Sequence, residues 1–151
     1  MHALHDATTE PKFYYFKKHL DLQMQAASAW LAHAEGHDDE AVAALRAAAD
    51  GEDALGKHPV TPGALVPARE QLGELLLELK RPKEALSAYE DALKIYPARF
   101  NAVYGAGVSA EQFGERKLAR KYFGALVKQA ALADSPRSEL GHAREYLGAK
   151  T

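Results

Sequence analysis

Between Val66 and Ala131 the chain repeats itself at a fixed step of 34 residues. Leu72-Gly73 recurs as Ala106-Gly107, Ala85 as Ala119, and Tyr89 as Phe123. A small pair in one helix, an alanine early in the next and an aromatic four positions later mark stacked helical hairpins. The physical reason is close packing: two helices approach tightly only where side chains are small. Gly73 and Ala85 are therefore expected at the crossing of one hairpin, and Gly107 and Ala119 at the crossing of the next. Tyr89 and Phe123 should fill the wider space beside each crossing. Pro97, eight residues after Tyr89, is expected to stop the second helix and turn the chain. Ala131 holds the matching place one step later, so that exit is less sharply marked.

These residues resemble tetratricopeptide repeats, two of them over Val66 to Ala131. A longer stretch, from about Leu20 to Leu147, resembles a group of bacterial tetratricopeptide proteins of poorly defined function. Ala29-Trp30-Leu31-Ala32, Lys57-His58-Pro59-Val60-Thr61-Pro62-Gly63, Pro67-Ala68-Arg69-Glu70 and Tyr104-Gly105-Ala106 carry that closer likeness. In that group such a segment often ends a longer chain, which implies a short relative or the end of a larger one. The resemblance implies an all-α fold, an α-solenoid of about three hairpins with a C-terminal capping helix. It supplies no catalytic residue.

The rest of the composition agrees with such a module. A chain of 151 residues with 47% hydrophobic content has length and apolar surface for one domain. The formal net charge of −2 gives no global pull toward nucleic acid or a membrane surface. There is no cysteine, which excludes disulfides, thiol catalysis and thiolate metal sites. No apolar run approaches a membrane span, and the first residues lack the apolar core of a signal peptide. The expected compartment is the cytoplasm, with the periplasm as the alternative if a signal peptide has been removed.

In order along the chain, residues 1–11 read as a loose N-terminus. A helix is expected from Lys12 to about Ala34, with Phe13, Phe16, Leu20, Met24 and Leu31 as its apolar stripe. The run Phe13-Tyr14-Tyr15-Phe16 places rings on more than one side of that helix, and is the expected contact if the chain forms a homodimer. After a turn at Gly36, Asp38 or Asp39 should cap a second helix ending near Leu55. Residues 12–55 are then a degenerate first hairpin, with Ala41 at the crossing and Leu45 in place of the aromatic. Residues 56–65 are an insertion in which Pro62-Gly63 suits a type II turn. The 66–99 repeat follows, with helices over Val66–Leu79 and Pro82–Ile95; Pro82 suits the first helical position. The 100–133 repeat should contain helices near Ala98–Gln112 and Glu115–Leu132. Ser135 should cap a closing helix to about Gly148, burying Leu140 and Leu147.

Register along the first helix of each hairpin predicts the side chains that face the groove of such a fold. These are Gln23, Ala26, Trp30 and His33, then Glu70, Glu74, Leu77 and Glu78, then Asn101, Tyr104, Val108 and Glu111. Glu70, Glu74 and Glu78 form a like-charge row, each pair costing a few tenths of a kcal/mol; a bound cationic segment would relieve that repulsion. Arg69 is expected to neutralise part of the row. His33 and His37 are four apart, but Gly36 breaks the helix between them, so no metal ligand set is expected. His58 reads as a side chain that fixes its loop. No nucleophile–base spacing or phosphate-cradling loop is present, so neither catalysis nor a cofactor is expected. Arg116, Lys117, Arg120 and Lys121 read as a solvated outer face, not as a nucleic-acid interface. The expected role is binding of a protein or peptide segment, of basic-hydrophobic character, without membrane insertion. Self-association through the first helix, and a metal- or small-ligand-binding accessory, are the alternatives.

Overall fold

The structure is a computed structural model that describes residues 14–56, 64–134 and 137–148. Among these the fold is all-helical: α1 (Tyr14–Ala34), α2 (Asp38–Leu55), α3 (Ala68–Glu78), α4 (Pro82–Ile95), α5 (Phe100–Gln112), α6 (Arg116–Gln129) and α7 (Ser138–Gly148). The chain divides into two compact units, Met1–Leu72 and Gly73–Thr151. None of the described helices is long and apolar enough to cross a membrane.

In the first unit α1 and α2 form the opening hairpin. Alanine and leucine favour helix, and in α2 Asp38, Asp39 and Glu40 lie in the first turn, where the helix dipole favours acids. Leu22, Ala26 and Ala29 are the buried side chains of α1 and meet α2 through Ala41, Leu45, Ala48 and Ala49 on its buried face. The approach is close at Gly51, where a Cβ would lie 2.5 Å from Leu22 Cδ2. The expected α1 stripe is thus misplaced by a partial turn: Phe16 is 44% and Leu31 60% exposed, Leu20 and Met24 are half-buried, and Phe13 lies outside the described residues. Small side chains are buried there because α2 comes too close for large ones. Ala41 and Leu45 are buried as expected.

The second unit is a run of neighbouring helices, α4 on α5, α5 on α6 and α6 on α7. Ala85 and Ala119 are fully buried, as expected of crossing residues, and Ala102 and Ala106 of α5 are fully buried too. The aromatics do more than fill space beside the crossings. A Cβ on Gly73 would stand 2.8 Å from the Tyr89 ring, and one on Gly107 2.6 Å from the Phe123 ring. Each ring therefore lies directly on a glycine backbone. Tyr89 also lies on Gly105 of α5, where the same Cβ would come within 2.2 Å of it.

Three helix–helix turns share one hydrogen-bond pattern, the N–H five residues on closing back to a carbonyl: His37 to Ala32, Arg81 to Leu76 and Glu115 to Ala110, each at 2.8 Å. This is the Schellman closure, which needs a left-handed residue just before the closing N–H. Gly36 (φ 84°) and Gly114 (φ 85°) supply it in two turns, and Lys80 (φ 58°) in the third. Asp38 is the first residue of α2 and His37 precedes it without a side-chain cap, so the expected aspartate cap is absent. Asp38 instead accepts from His33.

Helix α4 has the expected bounds, with Pro82 at its start and Tyr96-Pro97 at its end. Helix α5 begins two residues later than expected because Ala98 takes φ 61°, which no α-helix contains. Helix α3 likewise starts at Ala68, the Pro67 carbonyl accepting from Glu70 and Gln71. Helix α6 ends at Gln129, and Leu132 beyond it is fully exposed. The expected Ser135 cap and the Pro62-Gly63 turn lie outside the described residues.

Helix α7 continues the repeat. Leu140-Gly141 stands one 34-residue step after Ala106-Gly107. Leu140 and Ala143 are buried, as expected for Leu140, whereas Leu147 is half-buried. Gly141 faces open space, with nothing within 4 Å of a Cβ built on it. Leu76 and Ala110, both buried, are followed at the same step by Arg144, which is exposed.

Candidate recognition surface

The predicted groove residues of the first unit are all engaged within it. Trp30 Nε1 donates to Gln71 Oε1 at 2.9 Å, and Gln71 Nε2 donates to the Val66 carbonyl at 3.1 Å. Ring and amide together tie α1 to the start of α3. His33 Nδ1 lies 2.6 Å from Asp38 Oδ1 and its ring stands edge-on to Trp30. Gln23 Nε2 donates to Glu52 Oε1 at 3.4 Å. Ala26 and Glu70, expected to face solvent, are buried at 1% and 4% exposure. Register alone places them on the open side, but α1 turns Ala26 into its own hairpin and the start of α3 is covered.

Glu52 of α2 is a buried acid that the sequence did not mark. Its Oε2 accepts the Ala68 backbone N–H at 2.5 Å, so it caps α3 from another helix. A helix N-terminus leaves its first N–H groups unpaired and carries partial positive charge, so a carboxylate there satisfies both demands. Beside it, Arg69 donates to Asp50 Oδ1 at 2.6 Å and, through Nε, to Asp53 Oδ2 at 3.0 Å. Burial by itself would lower the Arg69 pKa, but the hydrogen bonds to Asp53 and Asp50 outweigh it and hold the guanidinium above its ordinary range. Arg69 therefore fastens α3 to α2 and is not the neutraliser of the glutamate row.

In the second unit the predicted positions split into two groups. Glu74 and Glu78 are exposed on α3, with Leu77 half-buried between them. On α5, Asn101 is exposed and Val108 half-buried, whereas Tyr104 and Glu111 are held by α7. Tyr104 OH lies 3.0 Å from His142 Nδ1, and His142 Nε2 lies 3.1 Å from Glu111 Oε2. One imidazole thus bridges a phenol and a carboxylate. Arg137 donates to Asn101 Oδ1 at 3.3 Å, pairs with Glu139 at 2.8 Å, and stacks 3.9 Å over the Phe100 ring. Burial, then the charges of Glu139 and Glu111, push the Tyr104 phenol up, away from ionisation. The Arg137 hydrogen bond, helped by its own backbone N–H, holds Glu139 below the usual carboxylate range. Phe123 packs beneath this group, its ring centre 5.2 Å from His142 and 5.0 Å from Tyr146.

The hydroxyl of Tyr104 faces an imidazole, but the phenol is stabilised in its neutral form, the reverse of an activated nucleophile. The group serves as a helix-to-helix fastening. The signal that foretold it was Leu140-Gly141, which gives α7 the register of another first helix. Of the aromatic run at the start of α1, Tyr14 is 66% and Phe16 44% exposed, and the Tyr15 hydroxyl donates to the Gly56 carbonyl at 3.2 Å.

Comparison with known proteins accords with this geometry. Residues 66–99 match the model of the tetratricopeptide repeat family. The chain is similar in structure to a TPR-like protein from Chlorobium tepidum, at 18% identity and a TM-score of 0.59, over 88% of this chain and 96% of that one. No curated protein matches it in sequence. Residues 66–99 are thus a tetratricopeptide repeat, set in a chain whose described residues are all-helical and share the fold of a TPR-like protein.

Proposed function

We propose that this protein is a non-catalytic interaction module that holds a basic-hydrophobic segment of a partner protein against Glu74, Leu77 and Glu78. Tetratricopeptide repeats generally mediate protein–protein contacts, and the observation that carries the reading is the placing of exposed Glu74 and Glu78 with half-buried Leu77 on one face of the repeat's first helix. An apolar centre between two carboxylates gains affinity from the former and charge selectivity from the latter. Val108 and Asn101 on α5 are the proposed neighbours of that contact. Glu70, being buried, falls outside it.

The test is a double substitution, Glu74→Gln with Glu78→Gln, on a partner isolated from the source cell by pull-down. Titration at low and high salt should show weaker binding and a flatter salt dependence in the variant. Equal affinities in the two proteins would make the row a solvated face and end this reading.

A further inference from the structure

The outer face of α6 carries Arg116, Lys117, Arg120 and Lys121, all exposed, and the helix holds no acidic residue. Arg116 and Lys117 lie in its first turn, where the helix dipole disfavours cations. Arg116 with Arg120, and Lys117 with Lys121, are like-charge pairs at i, i+4, which cost further stability. Among the described residues none of the four forms an ion pair; Arg120 donates to the Leu147 carbonyl and Lys121 lies over the Tyr122 ring. The cationic surface reaches beyond the helix, because Lys83 at the start of α4 lies 5.9 Å from the ring of Phe113, itself 42% exposed.

The same chain carries the opposite charge elsewhere. Residues 1–72 hold 6 lysines and arginines against 11 aspartates and glutamates, whereas residues 73–151 hold 13 against 10. The acids of the first part include Glu35, Asp39 and Glu40 at the α1–α2 turn, all exposed. The whole chain is nearly neutral, at −2, so two copies repel weakly while their oppositely charged surfaces attract.

We infer that the basic face of α6, with Lys83 and Phe113 at its edge, docks the acidic α1–α2 turn of a second copy of this chain. The contact is heterologous: one surface of each copy meets a different surface of the other.

Sedimentation velocity of the full chain over a concentration series tests this. The expected result is association at about 20 mM NaCl that weakens at least tenfold by about 500 mM. Two variants make the test specific: R116E/K117E/R120E/K121E, and D39K/E40K. Each alone should remain monomeric at low salt, and an equimolar mixture should associate again, since the mixture restores a basic face opposite an acidic turn. Glutamates at the start of α6 suit the helix dipole, so circular dichroism should show the first variant as helical as the wild type. A wild-type chain that is monomeric at low salt would overturn the inference. So would association that neither salt nor charge reversal disturbs, which would assign it to Tyr14 and Phe16. Binding of a single-stranded oligonucleotide by a chain that does not self-associate would overturn it too, giving the face to nucleic acid.

Discussion

The ring of Tyr89 occupies the space that a Cβ on Gly105 would need, its Cζ lying 2.2 Å from that point. The same ring lies 2.8 Å from the corresponding point on Gly73, so one tyrosine of α4 touches the backbones of α3 and α5 together. Gly105→Ala should therefore overpack a buried ring and destabilise by about 1–3 kcal/mol. Gly124, by contrast, lies within α6 with nothing within 4 Å of its would-be Cβ. There the same substitution should stabilise by roughly 0.4–1 kcal/mol, through the lost freedom of the unfolded chain. Urea denaturation of the two variants should give shifts of opposite sign. Shifts of the same sign would mean that Tyr89 is not seated on Gly105.

Lys80 holds the left-handed position that Gly36 and Gly114 hold in the other two turns. A lysine there bears a steric cost of about 1–2 kcal/mol that glycine avoids, offset in part by glycine's greater entropy when unfolded. Lys80→Gly should accordingly raise stability by roughly 0.5–1 kcal/mol, read as a higher denaturant midpoint at unchanged slope. Gly114→Ala should move the midpoint the other way. A lowered midpoint for Lys80→Gly would show that the lysine side chain contributes more than its backbone strain costs.

Much of this structure can be read from residue spacing alone. The bounds of α4 follow from Pro82 and Pro97, and the buried alanines Ala85 and Ala119 follow from the 34-residue step. The stripe of α1 does not follow, because size misleads there. Phe16 and Leu31 look like core and are exposed, while Ala26 and Ala29 are buried, since the close approach of α2 selects for small side chains. Register likewise assigns Tyr104 and Glu111 to an open face but is silent on what α7 does. That information lay in Leu140-Gly141, which repeats the earlier pairs. Glu52 had no such signal: its partner, the Ala68 N–H, lies 16 residues away across a proline- and glycine-rich loop.

Removal of the Glu52 carboxylate tests that long-range cap. Glu52→Ala leaves the Ala68 N–H buried without an acceptor, and should cost about 1–3 kcal/mol. Glu52→Gln keeps an oxygen for the bond and should cost less. Amide exchange is the direct readout: protection at Ala68 and Arg69 should fall in the alanine variant and largely persist in the glutamine one. If both variants exchange like the wild type, Glu52 is not the cap.

Tyr122 donates to Glu90 Oε1 at 2.8 Å across α6 and α4. Burial, then that hydrogen bond and the Glu90 charge, raise its folded pKa well above the ordinary tyrosine range. A group raised in the folded state adds stability below its unfolded pKa and loses it as pH climbs from there toward the folded value. Unfolding free energy should thus begin to fall near pH ~10, where an unfolded tyrosine ionises. Tyr104, also raised, adds to the same slope. Tyr122→Phe should be less stable at neutral pH, having lost the bond, yet show a shallower decline above pH ~10. Parallel alkaline slopes in the two proteins would rule out this linkage.

The step from Leu76 to Ala110 to Arg144 bears on what could pack against the last helix. In the language of polymers, each hairpin is a monomer laid on the previous one's edge, and at Arg144 that edge carries a charge. Any helix laid over Gly141 would have to strip water from that guanidinium, at a cost of several kcal/mol unless it brought an acid of its own. At the two earlier steps an apolar side chain is buried at that site, whereas at the third a charged one is exposed.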